Sequence, residues 1–283
     1  MHFTKLQGLG NDFVLVDARS KECNWAQLAK AMCRRHFGIG ADGLLVLLPS
    51  EKADFRMRIF NQDGSESEAC GNGLRCFVRY LLDNVVTNGA KEFKIETMAG
   101  VRQAKIIKEI SENLIQVGMG QPEFNPASIP VEADTSQGKM IDIMFGDWPL
   151  EVCGRQLKLN FVSMGNPHAV CFIDEKTVNF PLKSIGPIIE KHTIFPRGTN
   201  FEIARVLSRR KIEMRVWERG AGETLACGSG ACATAIAAQL TGLSDDKVEI
   251  LLPGGSAYVH WNKGNEALLT GPAEVVFNGE WPD

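Results

Sequence analysis

The sequence lacks a marked excess of charge of either sign, and it lacks a long apolar run. Its 283 residues include 31 Lys and Arg against 34 Asp and Glu, for a net charge of −3. A basic surface that would attract a nucleic-acid backbone or an anionic lipid is therefore not expected. No apolar segment approaches the length of a membrane span, and the opening MHFTKLQGLGNDF lacks the features of a secretory leader. We expect a cytoplasmic protein with neither a nucleic-acid nor a membrane partner.

The sequence also lacks the cysteine and histidine spacing of a metal site. None of its eight cysteines forms a CxxC pair, and its five histidines are scattered along the chain. Structural zinc sites usually combine such closely spaced ligands, so we expect no metal ion. An even number of cysteines suits a disulfide scaffold, but a chain this long and of this expected location keeps its thiols reduced.

What the sequence does contain is an internal repeat centred on two cysteines. IEMRVWERGAGETLACGSG, from Ile212, aligns with FRMRIFNQDGSESEACGNG, from Phe55, so that Cys227 falls on Cys70. Two further pairs, GLGNDF with SMGNPH and TMAG with LPGG, repeat in the same order. Three matched pairs indicate a duplication. We expect two halves, residues 1–125 and 126–271, with the final strand in 272–283 returning to the first half.

Each copy of the repeat predicts the same local structure. Residues 55–60 and 212–217 alternate apolar and charged side chains, as half-buried strands do, and a glycine-bearing loop then leads to the cysteine. A helix follows each cysteine; the second, ACATAIAAQL, is small and apolar on every side and is therefore expected to be buried. The predicted fold class is α/β (α+β), with two pseudo-symmetric domains that each wrap a curved, mostly antiparallel sheet around a central helix.

Both repeated cysteines precede the first turn of a predicted helix. The free amides and the dipole of a helix start favour negative charge, so we expect a lowered thiol pKa for Cys70 and for Cys227. Small residues leave these amides open to a ligand carboxylate. The glycines that flank the two helix starts are Gly71, Gly73, Gly228 and Gly230.

Two halves of one fold usually pack about a pseudo-twofold axis, which would bring the two cysteine loops face to face. A carboxylate held between two thiols suits removal of a proton from the adjacent carbon and its return from the opposite face. The repeat therefore predicts racemisation or epimerisation of an amino acid. A Cys70–Cys227 disulfide is the alternative for the pair, although it leaves the glycines unexplained. Cys76 and Cys232, about a turn into their helices, favour core packing.

The chain closely resembles the diaminopimelate epimerase family over essentially its whole length. The resemblance implies interconversion of LL- and meso-2,6-diaminopimelate, in lysine and peptidoglycan precursor biosynthesis. Cys70 and Cys227 would act as base and acid, without pyridoxal phosphate or any other cofactor, usually in a homodimer. The motifs that carry it are GLGNDF at Gly8, GIGADG at Gly38, NQDGSESEACGNGLRCF at Asn61, SMGNPH at Ser163, FPRGTNFE at Phe195, ERGAGETLACGSGACA at Glu218 and LPGGS at Leu252.

The resemblance also implies which residues bind the substrate. Those matched to the reacting carboxylate are Gly71, Asn72, Gly228 and Ser229. Those matched to the substrate's polar ends are Asn11, Asn61, Asn166, Asn200, Glu218 and Arg219. An arginine suits the distal carboxylate because its planar fork bonds both oxygens. Glu218 and His168 match positions that tune the two thiols, and Gly43, where some members carry Gln, is assigned no role.

Two alternatives remain open. The first is a proline or hydroxyproline racemase of the same fold; Asn200 and Arg219 argue against it, because a small apolar substrate needs no clamp for a distal carboxylate. The second is a non-catalytic thiol redox or metal-binding protein, which stoichiometric zinc would favour.

Overall fold

The structure, a computed structural model, describes residues 1–68, 70–85, 89–107 and 114–282. Its helices are α1 (Trp25–Met32), α2 (Gly71–Asn84), α3 (Leu182–Glu190) and α4 (Gly228–Leu240), with a 3-10 turn at Thr177–Asn179. Its strands are β1 (His2–Gly8), β2 (Asn11–Asp17), β3 (Gly43–Leu48), β4 (Phe55–Asn61), β5 (Glu66–Ser67), β6 (Glu92–Thr97), β7 (Gly100–Ile106), β8 (Leu114–Gly118), β9 (Lys139–Ile141), β10 (Met144–Gly146), β11 (Trp148–Val152), β12 (Arg155–Ser163), β13 (Pro167–Phe172), β14 (Asn200–Ser208), β15 (Lys211–Glu218), β16 (Gly222–Thr224), β17 (Lys247–Leu252), β18 (Gly255–His260), β19 (Leu268–Pro272) and β20 (Glu274–Glu280).

The chain divides into two compact units. Unit 1 contains Met1–Gly118 and Thr270–Asp283, and unit 2 contains Met119–Leu269. The final strand, β20, therefore belongs to unit 1, where it pairs antiparallel with β1.

The strands of unit 1 follow a regular pattern of directions. From β1 the neighbours run β1, β2, β3, β4, β6 and β7, and the successive pairings are antiparallel, parallel, antiparallel, parallel and antiparallel. The short strand β5 returns along β4 and leads toward Cys70. Helix α2 packs against most of these strands, so that the sheet surrounds it.

The strands of unit 2 repeat that pattern. From β12 the neighbours run β12, β13, β14, β15, β17 and β18, with the same succession of antiparallel and parallel pairings. Strand β16 returns along β15 as β5 does along β4, and β11 flanks β12 as β20 flanks β1. Helix α4 takes the central place of α2. The predicted fold class, a duplicated α/β unit with a sheet around a helix, is confirmed.

Helices α2 and α4 begin in the same way. Cys70 and Cys227 are their N-caps, with extended backbones at φ −146° and −122°. Each sulfur accepts a hydrogen bond from the amide three residues later, which satisfies one of the free donors of the first turn. Helix α4 is buried from Gly230 to Ala238, as its small apolar residues predict, and it stops before Gly242, whose φ of +76° a helix cannot accommodate.

Within the described ranges, none of the helices combines the length and the apolar composition that crossing a bilayer requires.

Candidate active site

In unit 1, the start of α2 brings Cys70, Asn72 and Asn11 together. The Cys70 thiol donates to Asn11 Oδ1 at 3.8 Å, and Asn72 Nδ2 donates to the same oxygen at 3.2 Å. Asn72 Oδ1 accepts from the fully buried Arg75 at 2.8 Å. The thiol, the first turn of the helix and the first residue of β2 therefore form one hydrogen-bonded group.

Asn11 is itself oriented by a cluster of charged residues. Its Nδ2 donates to Asp42 Oδ2 at 2.7 Å, and Arg35 bonds both Asp42 and Asp12 at 2.8 Å. Lys5, almost fully buried, donates to Asp12 at 2.5 Å. Burial raises the pKa of Asp12, but the hydrogen bonds from Arg35 and Lys5 outweigh that effect and leave the pKa below its usual value. Because the side-chain amide nitrogen of Asn11 donates to Asp42, the amide oxygen of Asn11 points to the Cys70 thiol.

In unit 2, the start of α4 brings Cys227, Ser229 and Asn166 together. Ser229 Oγ lies 3.4 Å from Cys227 Sγ, and Asn166 Nδ2 donates to Ser229 Oγ at 3.3 Å. The Cys227 thiol also donates to the carboxylate of Glu218, which accepts a second bond from Thr224. Burial raises the pKa of Glu218, although those two hydrogen bonds oppose the shift.

The cluster of unit 2 continues inward through an imidazole. His168 Nε2 lies 3.0 Å from Asn166 Oδ1, and His168 Nδ1 lies 2.6 Å from Glu202 Oε1. Both the His168 and the Glu202 side chains have no exposed surface. Hydrogen bonds thus connect the Cys227 sulfur to a buried carboxylate.

Asn200 and Arg219 form a separate part of the unit 2 site. Asn200 Nδ2 donates to the Pro167 carbonyl at 2.9 Å, and its Oδ1 accepts from the Arg219 amide at 2.9 Å. The Arg219 side chain is exposed and donates to the Arg197 carbonyl at 3.0 Å. Asn200 therefore fixes the backbone from which an exposed guanidinium extends.

The expected lowering of the Cys227 pKa is wrong. Burial raises the pKa of this thiol well above its ordinary value, and the Glu218 and Glu202 carboxylates raise it further. The hydrogen bonds from Ser229 and from the Gly230 amide act in the opposite direction but are weaker. Desolvation and two nearby carboxylates disfavour the thiolate more than the helix start favours it.

The family model described as diaminopimelate epimerase matches residues 3–125 and 160–276 of this chain. A diaminopimelate epimerase from Carboxydothermus hydrogenoformans is 46% identical over 285 residues, covering 99% of both chains. This chain belongs to the diaminopimelate epimerase family. It is an isomerase of the epimerase type, as the sequence predicted.

More distant solved structures share the fold of this family member. A phenazine biosynthesis protein from Bacillus anthracis superposes with a TM-score of 0.71 at 16% identity and covers 100% of this chain and 99% of its own. A probable proline racemase from Agrobacterium radiobacter K84 does so with a TM-score of 0.70 at 13% identity, covering 99% and 92%. At such identities the likeness concerns the fold alone.

The remaining expected site residues of this epimerase-family chain lie at the end of β4 and at the two helix starts. Asn61, at the end of β4, is exposed and donates to Ser65 Oγ at 2.9 Å in the loop that follows. Gly71 is buried and Gly228 half-buried, each as the first residue of its helix. Gly43, which was left without a role, lies on β3 opposite Asn61.

Sequence reasoning missed Asp42 and Glu202. Asp42 belongs to the GIGADG motif, and its place after two glycines was the available signal. Glu202 stands in TNFEIA, where one charged residue interrupts a run that is buried from Asn200 to Ala204. A lone carboxylate in an apolar strand was a signal that could have marked it.

All eight cysteines are free thiols, so the Cys70–Cys227 disulfide is not present. Cys76 and Cys232 are completely buried, and burial raises the pKa of Cys76 to about 12. In the part of the chain that the structure describes, no three His, Cys, Asp or Glu side chains are grouped so that they could hold a metal ion.

Proposed function

We infer that this protein interconverts LL- and meso-2,6-diaminopimelate by proton transfer at the α-carbon, without a cofactor. The observation that carries this proposal is the placement of Cys70 and Cys227 as N-caps of equivalent helices in a member of this family. Each thiol thus lies beside amides that can bind the carboxylate attached to the reacting carbon.

In this proposal the resting protein holds Cys227 as a thiol and uses Cys70 as the base. The raised pKa of Cys227 supports its role as proton donor, since burial and two carboxylates keep the proton on the sulfur. Cys70 removes the α-proton, and Cys227 delivers its own proton to the opposite face of the same carbon. The reverse reaction exchanges the two roles.

The reacting carboxylate would be held by the helix-start amides. The amides of Gly73 and Gly230 bond the two sulfurs at 3.4 Å, so the amides that we assign to the substrate precede them. These belong to Gly71, Asn72, Gly228 and Ser229, the residues expected from the resemblance. Negative charge that develops on the carboxylate as the proton leaves is stabilised by both helix dipoles.

The distal amino acid centre would be recognised by Asn200, Arg219, Asn61, Asn11 and Asn166. Arg219 supports this assignment because its guanidinium is exposed on a backbone that Asn200 fixes. A guanidinium bonds a carboxylate through two parallel hydrogen bonds, which discriminates against substrates without one.

Turnover of LL-diaminopimelate by metal-stripped protein without pyridoxal phosphate tests the function. We expect meso-diaminopimelate to form at a rate that added zinc or pyridoxal phosphate does not increase. Racemisation of proline or 4-hydroxyproline, with no turnover of diaminopimelate, would instead assign the chain to the alternative substrate class. Loss of activity on metal removal, restored by stoichiometric zinc, would contradict the cofactor-free mechanism.

We further propose a cytoplasmic homodimer. The free thiols support the location, because the cytoplasm keeps cysteines reduced. Strand β20 supports the dimer: Val275, Val276 and Phe277 are 36%, 55% and 46% exposed, although neighbouring residues of a strand point to opposite faces. Sedimentation of Phe277→Asp should give a monomer, whereas Val178→Asp, at a residue 72% exposed in unit 2, should not change the mass. A wild-type monomer would contradict this assignment.

A further inference from the structure

The two catalytic helix starts rest on different side chains. Phe13 and His168 occupy equivalent places, because Phe13 pairs with Gly43 and His168 with Asn200 in the matching parallel strands. Leu45 lies two residues after Gly43 on β3, and Glu202 lies two residues after Asn200 on β14. We call Phe13 and Leu45 the floor of α2, and His168 and Glu202 the floor of α4. One floor is apolar, and the other is ionisable.

One residue of each floor, Leu45 or Glu202, packs directly against a first helical turn. A Cβ added to Gly73 would lie 3.2 Å from Leu45 Cδ2, and one added to Gly230 would lie 2.7 Å from Glu202 Oε1. The Gly230 amide in turn donates to Cys227 Sγ at 3.4 Å. The Glu202 carboxylate is therefore packed against the same turn of backbone that binds the Cys227 sulfur.

The fold does not require a carboxylate at this place. Glu202 has no exposed surface, and its Oε2 is without a hydrogen-bond partner among the described residues. A buried polar atom without a partner destabilises the folded chain. In unit 1 Leu45, also fully buried, fills the equivalent space without that cost. A costly group that the duplicated half does without points to a role in chemistry rather than in packing.

We propose that Glu202 is a positioning residue that keeps the Cys227 thiol protonated, by holding a buried carboxylate under the first turn of α4. This inference rests on the proposed function, in which Cys227 delivers the proton. A helix start alone favours the thiolate; burial of the Cys227 sulfur opposes this preference, and a carboxylate beside the helix start opposes it further. Unit 1 has no carboxylate in the equivalent floor, and Cys70 is the proposed base.

The titratable groups around Cys227 come from three strands. Glu218 on β15 accepts a bond from the thiol, Glu202 on β14 lies under the helix, and His168 on β13 bonds Glu202. On its own helix the sulfur meets Ser229 and the Gly230 amide, which favour the thiolate. Burial is the largest cause of the raised pKa of Cys227, and both carboxylates raise it further, so removing either carboxylate should lower it.

The test is a pH titration of the Cys227 side chain in the full-length protein, followed by the NMR signal of 13Cβ-labelled cysteine and assigned with Cys227→Ser. We expect Glu202→Gln and Glu202→Leu each to lower the titration midpoint by about 1 pH unit or more, since a nearby like charge shifts a pKa by that order. Turnover of diaminopimelate should fall about tenfold or more in kcat with little change in KM, because the proton donor is affected rather than binding. Glu249→Gln, which removes a carboxylate from β17 of the same sheet, should leave the midpoint and kcat unchanged.

The NMR midpoint decides this proposal even if diaminopimelate is not the substrate, so its failure and that of the proposed function can be told apart. An unchanged or raised Cys227 midpoint in folded Glu202→Gln and Glu202→Leu would overturn the proposal. Failure of both variants to fold would overturn it too, since the apolar floor of α2 indicates that Leu fits at this place. Thermal unfolding of each variant distinguishes these outcomes.

Discussion

The two halves of this protein share their strand order and the N-cap cysteine of their central helix, but they differ in the charges around that cysteine. The helix turn that Cys70 caps packs on Leu45 and Phe13, and the thiol bonds an asparagine. The turn that Cys227 caps packs on Glu202, which bonds His168, and this thiol bonds Glu218. Both copies kept the strand, loop and N-cap arrangement that places a thiol at a helix start. Divergence of its neighbours made the two thiols chemically unequal, which suits one base and one acid.

The same comparison applies to the matched asparagines. Asn11 is oriented by Asp42 within an ionic cluster, and Asn166 by His168. Two unlike supports therefore present the same amide group to the two helix starts. The amide is therefore common to both halves, and each half holds it with different residues.

Removing either thiol should have the largest effect. Cys70→Ala and Cys227→Ala should each lower kcat for epimerisation by about 10²–10⁴-fold, because each removes one half of the proton transfer. Cys23→Ala, at an exposed cysteine outside the site, is the matched control and should retain full activity. Substantial turnover by one of the two variants would show that a single thiol serves both faces of the carbon.

Arg219 has no charged counterpart in unit 1. Gln62 takes the equivalent position there and donates to the Ala41 carbonyl. Replacing Arg219 therefore tests a feature that only unit 2 has. Arg219→Ala should lose about 2–5 kcal/mol of transition-state binding, measured as kcat/KM for diaminopimelate. Arg210→Ala, at another exposed arginine of unit 2, should change kcat/KM little. Near-normal kcat/KM in Arg219→Ala would exclude this residue as the ligand of the distal carboxylate.

Adding one methyl group to each helix start should separate the two floors. Gly230→Ala places a Cβ 2.7 Å from Glu202 Oε1 and should cost about 1–3 kcal/mol of unfolding free energy through overpacking. Gly73→Ala meets Leu45 at 3.2 Å, where a flexible side chain can yield, and alanine's helix propensity offsets the strain. Urea unfolding of both variants measures the difference. Equal destabilisation would mean that the two floors are equally rigid.

The ionic cluster of unit 1, through Asp12, should stabilise the folded protein less at acidic pH than at neutral pH. Because the folded-state pKa of Asp12 is lowered, its ionisation stabilises the protein above the unfolded pKa of about 3.9, and that stability is lost as the pH falls through the folded pKa. Asp12→Asn should cost about 2 kcal/mol at pH 6, and the cost should shrink as the pH falls below 4. Urea unfolding at a series of pH values checks this. A cost independent of pH would show that charge is not what Asp12 contributes.

Much of the fold followed from local patterns. Alternation predicted β4 and β15 to within a residue or two, and the all-round apolar character of α4 predicted its burial. The repeated cysteine motif predicted that both thiols would lie at helix starts. These features depend on residues close together in the chain, so periodicity and composition reveal them.

The electrostatic environment of the site could not be predicted in this way. The charge partners of Asp12 come from Lys5 and Arg35, and only the folded sheet brings them together. Glu202 is far from Cys227 in sequence, and the run from Asn200 is buried on both faces of β14, so alternation does not show where its carboxylate points. The raised pKa of Cys227 comes first from burial and then from such carboxylate partners, whereas the helix start alone predicted a lowered pKa.

In the proposed mechanism two unequal thiols exchange protons on opposite faces of one carbon, and epimerisation in deuterium oxide from each isomer tests this exchange. The thiol that delivers the proton has already exchanged with solvent, so the product should carry deuterium at the α-carbon from the first turnovers. The remaining substrate should stay largely protonated, because the base that removed its proton does not return a solvent deuteron to the same face. Recovered substrate that carried early deuterium at the level of the product would contradict the two-thiol mechanism.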